Sequence, residues 1–300
     1  MSAKNLNLGV VHKLRNCLAV FFASALGLSL AAADDQASKT QLSAAEIVNK
    51  NAEARGGLQA WRAVQTLTLS GTMGIGGNQR ATLAAPPHAG HTNMTLPPPR
   101  PAKEMEVPFV MELARPHKQR FELVFNGKTA IQVYDGTHGW KLRPFLNRRE
   151  VEPFTLEEMK IASGQAELDG WLMDYAAKGT KIQLVGTEKV DDRVTYKIKL
   201  TTKDGNSLHV WIDAKTFLEA KIEGQPRRLD GVYHSVEISF RDYRQVNGLV
   251  IPFVLETRVL PVTRTATGLR DTPVPVENIT LEKVEVNPKL DPSAFAKPTA

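Results

Sequence analysis

The sequence predicts a mainly β protein with a few α-helices: a large, strongly curved antiparallel sheet or partial barrel, with the helices against one face. Three observations carry that prediction. Apolar residues recur at every second position through most of the chain, the spacing of strands with one buried and one solvated face. Asn-Gly and Asp-Gly pairs (Asn126-Gly127, Asp135-Gly136, Asp204-Gly205, Asn247-Gly248) fall between the alternating runs, where hairpin turns require them. Helix signals are confined to two places, each opened by a capping box.

In chain order, the first feature is an export signal. Lys13 and Arg15 precede the apolar run Cys17–Leu30, and Ala31-Ala32-Ala33 supplies a small-residue cleavage site before Asp34. An apolar run of this length is short for a membrane span. Residues 1–33 are therefore expected to be removed and residues 34–300 to form a single domain. Formal charge over the chain is +6, but the leading segment holds Lys4, Lys13 and Arg15 and no acid, so half the excess lies there. The one cysteine, Cys17, lies there too, which excludes disulfide frameworks and thiol catalysis from the mature protein.

Ser43 with Glu46 opens a helix that Gly56-Gly57 stops, and Leu58, Trp61 and Val64 suggest a further turn. Alternation then marks strands through Val107–Leu113, Phe121–Phe125, Arg193–Thr201, Leu208–Ile212, Leu218–Ile222, Val236–Phe240, Ile251–Val259 and Ile279–Val286. About eleven strands are expected in all. Thr155 with Glu158 opens a second helical patch, extended to Tyr175 by Leu168, Trp171 and Leu172 at spacings of three and four. Residues 74–103, rich in glycine, alanine and proline, read as a long loop inserted between two strands, and Pro261–Val276 as a second irregular link.

Constellations of chemistry are scarce. Gly74-Ile75-Gly76-Gly77 lacks the Gly-Lys-Ser/Thr that completes a phosphate cradle. His88 and His91 follow Pro86-Pro87 with no acidic or cysteine partner near, so no metal site is expected. Glu157-Glu158 and Asp191-Asp192 read as solvated surface. There is no Gly-x-Ser-x-Gly elbow. Arg148-Arg149 and Arg227-Arg228 lack the interleaved aromatics of a nucleic-acid platform. No catalytic residue, metal or cofactor is expected, and no nucleic-acid partner.

One ordered set of residues resembles a known family. Leu113-Ala114-Arg115-Pro116 is followed by Phe121, Val133-Tyr134-Asp135-Gly136, Gly139-Trp140 and Pro144-Phe145. This succession is similar to that of the LolA-like periplasmic carriers of outer-membrane lipoproteins in Gram-negative bacteria. Asp242-Tyr243-Arg244, Gly248, Pro252 and Leu290-Asp291-Pro292 with Phe295 resemble the broader outer-membrane lipoprotein-sorting group. Arg143 stands where the family pattern has asparagine.

The resemblance implies an unclosed antiparallel β-barrel with helices acting as a lid over an apolar cavity. It also implies a chaperone-like function in lipoprotein transport: a monomer that binds the acyl chains of lipids or lipoproteins and meets an inner-membrane release complex and an outer-membrane receptor. A long acyl chain in water exposes on the order of 10 kcal/mol of apolar surface, so it needs a container to cross the periplasm. Arg115, Phe109, Met111, Leu113, Phe121, Trp140 and Trp171 are the candidate lipid-binding residues, with Arg115 as the latch of the lid by resemblance. On the residues alone, Arg115 ends an apolar strand face and is expected either to bond helix-end carbonyls or to pair with an acid or face solvent. The apolar face itself either encloses a cavity or makes a dry core. A lipid-sensing regulatory protein of the same fold and an exported enzyme are the alternative functions.

Overall fold

The structure, a computed structural model, describes residues 42–75, 105–144, 148–229, 232–261 and 275–299. The export signal, His88, His91 and most of both irregular stretches lie outside the described residues.

Both N-terminal helices begin as the sequence expects. Helix α1 (Ala44–Ala54) carries the complete Ser43/Glu46 capping box, and α2 (Leu58–Ala63) follows after Gly56 and Gly57. Gly56 sits at φ +107°, and a Cβ there would lie 2.2 Å from the carbonyl oxygen of Gly248, so only glycine lets the end of α1 press against the sheet. Val250 donates its backbone N–H to the Arg55 carbonyl at 3.0 Å and completes that junction.

Thirteen strands follow among the described residues, two more than alternation suggests. They are β1 (Thr66–Ile75), β2 (Met105–Ala114), β3 (Lys118–Phe125), β4 (Lys128–Tyr134), β5 (Gly139–Arg143), β6 (Arg148–Pro153), β7 (Lys181–Val190), β8 (Arg193–Thr201), β9 (Ser207–Asp213), β10 (Glu219–Leu229), β11 (Val232–Val246), β12 (Leu249–Val259) and β13 (Glu277–Val286). They form one antiparallel sheet, not closed into a barrel, in the order β6-β5-β4-β3-β2-β1-β13-β12-β11-β10-β9-β8-β7. The edges are β6, four of whose six residues are charged, and β7, whose pairing with β8 shifts register between Leu184 and Gly186. An edge strand has only one neighbour to pack beside, so its hydrophobic signal is weak.

The chain therefore travels outward from β1 to one edge, crosses to the opposite edge, and returns through β13 to pair with β1. Turn chemistry supports three of the reversals: Asn126-Gly127 and Asn247-Gly248 have positive φ at both residues, as do Asp191-Asp192 between β7 and β8. The Asp191-Asp192 pair is solvated, as its sequence suggests, and it also makes the turn. Gly74 and Ile75, read as the start of the inserted loop, instead pair with Glu106 and Met105 as the end of β1.

Between the edges lies α3 (Leu156–Gln165), opened by the Thr155/Glu158 capping box. The expected continuation to Tyr175 is corrected: residues 167–179 form a series of turns. Gly170 and Asp174 have positive φ, which ends any helix, although Leu168, Leu172 and Met173 still point inward and are buried.

Helices α1, α2 and α3 lie on one face of the sheet, the inner face. Trp61 of α2, Leu168 and Met173 pack on Phe109, Leu113 and Phe253. Ile47 and Val48 of α1 with Leu172 pack on Ile198, Leu200 and Val210. Tyr134 meets Ala162 of α3 and Ala166 just after it. Most of the inner face near the helices is thus dry core, the second of the two outcomes the sequence leaves open. On the outer face, Arg120 of β3 donates to the Ala294 carbonyl at 3.0 Å, holding the C-terminal turn Pro292–Phe295 there.

Candidate functional site

Pairing places four of the expected residues together. Met111 on β2 is opposite Phe121 on β3, Phe109 is opposite Leu123, and Leu113 is opposite Gln119. Alternation then puts Phe109, Met111, Leu113 and Phe121 on the inner face, with the Phe109 and Phe121 rings stacked at 5.9 Å. Leu113 and Phe109 are buried, whereas Met111 and Phe121 remain partly exposed.

Trp171 lies in the crossing segment, packed among the α1 residues of the second core and against Gly164 of α3. Trp140 lies elsewhere. It is opposite Val133, which is opposite Arg120, so it stands on the outer face and stacks on His138 at 5.8 Å. Sequence alone does not give which face of β5 meets the helices.

Arg115 follows directly on β2 at the rim of the inner face. Its guanidinium donates to the carbonyl of Val64 at 2.8 Å and of Trp61 at 3.3 Å, both at the C-terminal end of α2. The same group donates to Asp169 Oδ2 at 2.7 Å in the crossing segment. Both expected kinds of partner, helix-end carbonyls and an acid, are present at once. Carbonyls at a helix C-terminus carry partial negative charge, which a planar guanidinium suits well. Asp169, only 3% exposed, also receives the Lys178 ammonium, and Lys178 reaches Glu167 at 2.9 Å. Glu167 pairs in turn with His117 at 3.1 Å.

Two further contacts tie the covering elements down. Arg62 of α2 grips Asp174 with both arms, and that hydrogen-bonded fork holds the Asp174 carboxyl below its ordinary range. Lys141 of β5 bonds both oxygens of Glu158 at 2.5 Å. Burial pushes the Glu158 carboxyl up, but the Lys141 ammonium and the Thr155 amide outweigh it, so the group stays below the usual carboxylate range.

Between α3 and the β3–β4 pair runs a cleft of about 230 Å³, lined by Gln119, Gln132, Tyr134, Phe154, Ile161 and Gln165 among others. Sequence reasoning did not single out Gln119 or Asp169. Gln119 left a trace: it is a polar residue at the inward-facing position of a run whose next members are Phe121 and Leu123. Asp169 left none, since its partner is distant in sequence. Among the described residues no group of His, Cys, Asp and Glu could hold a metal ion, and no helix is long and apolar enough to cross a membrane.

No protein-family model matches this chain, and no curated protein does. Solved structures do. A LolA superfamily protein of Nitrosomonas europaea is 14% identical, with a TM-score of 0.52 over 86% of this chain and 99% of its own. A DUF1329 family protein of Desulfovibrio piger is 14% identical, with a TM-score of 0.50 over 85% of this chain and 98% of its own. The unclosed antiparallel sheet, the helices gathered on its inner face and these likenesses give one conclusion: the chain has a LolA-like fold.

Proposed function

We propose that this protein is exported to the periplasm of a Gram-negative bacterium and carries the acyl chains of lipids or lipoproteins under its helical cover, without catalytic turnover. The observation that supports this most is the position of Arg115. One guanidinium joins the end of α2 to the crossing segment through Asp169, at the rim of the apolar patch made by Phe109, Met111, Leu113 and Phe121. The cleft present beside the patch is smaller than the ~300–1,000 Å³ of drug-sized sites. Cargo of acyl length therefore enters only when α2 or the crossing segment swings away, which breaks the Arg115 bonds.

On this reading the closed state competes with the loaded one, and Arg115 sets the balance between them. Replacing Arg115 by leucine keeps the apolar stem of the side chain and removes the latch. A fluorescent fatty acid is expected to leave Arg115→Leu more slowly than wild type, by about tenfold if the latch contributes some 1.4 kcal/mol. Equal off-rates at equal thermal stability would sink the latch. Absence of any acyl probe binding to the wild type would sink the carrier. N-terminal sequencing of the exported protein tests processing, with Asp34 expected as the first residue.

A further inference from the structure

The cleft beneath α3 holds a polar atom that the fold leaves unanswered. Gln119 is only 8% exposed, and its Oε1 has no hydrogen-bond partner. Buried acceptors in folded proteins are paired as a rule, because an unpaired one has lost its water for nothing. Gln119 lies on the inner face between Leu113 and Tyr134, and its side chain lines the cleft.

The rest of the lining narrows the chemistry. Gln132 and Gln165 add two more primary amides, each able to donate and accept, while Tyr134, Phe154 and Ile161 add apolar surface. The lining carboxylate, Glu158, is already neutralised by Lys141. The cleft thus offers no unpaired cation from its lining to a carboxylate or phosphate. Its orphan group is an acceptor, so a fitting ligand brings a donor hydrogen, and, with the lining carboxylate already paired, an uncharged donor such as a hydroxyl. At about 230 Å³ the space takes a headgroup and not an acyl chain. Phe121, the next inward residue along β3 and directly opposite Gln132, starts an apolar strip that continues to Met111.

We propose that this cleft seats the uncharged, hydroxylated headgroup of an amphiphile, one hydroxyl donating to Gln119 Oε1, while the chain follows Phe121 and Met111. The assignment rests on the carrier reading and adds to it the chemistry of the cargo's polar end.

Two esters with the same chain test it: monolauroylglycerol, which has free hydroxyls, and methyl laurate, which has none. Affinities are measured on the full mature chain by displacement of a fluorescent fatty acid. Wild type is expected to bind monolauroylglycerol about fivefold to tenfold more tightly than methyl laurate. Gln119→Leu is expected to erase that preference while holding methyl laurate as wild type does. Gln165→Leu, at the solvent-accessible C-terminal end of α3 where it lines the cleft, is expected to narrow the preference and decides the matter if Gln119→Leu does not fold. A preference unchanged in the folded variants, or absent from wild type, overturns the headgroup site while leaving the carrier reading standing. Failure of wild type to bind either ester overturns both. Free glycerol displacing the probe as well as monolauroylglycerol does would overturn the assignment to an amphiphile.

Discussion

Gly56 illustrates how a single residue fixes the approach of a helix to the sheet. With φ at +107° and the Gly248 carbonyl 2.2 Å from where a Cβ would stand, any side chain must displace backbone. Gly56→Ala is expected to destabilise the protein by about 2–4 kcal/mol through strain and the shift of α1 from the β11–β12 turn. Urea denaturation checks this, with a lowered midpoint at unchanged slope as the expected result. Arg115 acts by a different route, since its contacts lie between covering elements and not within the core. The positions of both residues were legible: Gly56-Gly57 as a helix stop, Arg115 as the charged end of an apolar strand face. Their partners were not, because Gly248 and Asp169 reach them only through folding.

At the scale of an element, α3 is held more weakly than α1. It buries Ala162 alone, against Ile47, Val48 and Asn51 for α1, and its N-terminus depends on Lys141 and Glu158. Lys141 is nearly buried, so removing its counter-charge is expensive. Glu158→Gln preserves the capping acceptor but is expected to cost about 1–3 kcal/mol, read as a fall in Tm. The Glu158 carboxyl titrates lower in the folded protein than its ordinary 4.5. Its contribution is therefore complete above that value and is lost as pH falls through the folded value. Glu158→Gln should accordingly be less stable than wild type at neutral pH, with the gap closing in acid. A gap of constant size from neutral to strongly acidic pH would show that the ion pair contributes nothing. The two capping boxes that open α1 and α3 are local in sequence and were readable; the length of α3 was not. Leu168, Trp171 and Leu172 keep helical spacing although Gly170 and Asp174 turn the backbone left-handed.

For the whole molecule, the order of strands decides what can move. Chain segments far apart in sequence, β1 and β13, pair at the centre of the sheet, and each strand there has neighbours on both sides. The crossing between the edges is held instead by side-chain contacts: Arg115 and Lys178 to Asp169, Arg62 to Asp174, Lys141 to Glu158. Local opening follows the least buried hydrogen bonds. Hydrogen exchange is expected to proceed first in α3 and residues 167–179 and last in β1, β12 and β13. Uniform protection across both regions would rule out the crossing as a lid.

The sequence by itself determined the kind of protein this is. Alternation is a property of neighbours two apart, and turns and caps depend on residues within four positions, so an antiparallel β fold with capped helices could be read directly. Tertiary structure alone decided which face of β5 carries Trp140, where the helix after Thr155 ends, and that Gln119 closes a cleft with Gln165. Those outcomes depend on pairings between strands and on chain that returns from the opposite edge of the sheet. Strands β4 to β7 were named by no alternating run; β4 and β5 lie inside the sheet, and at the edges β6 and β7 the pattern is weaker because a strand there has one neighbour.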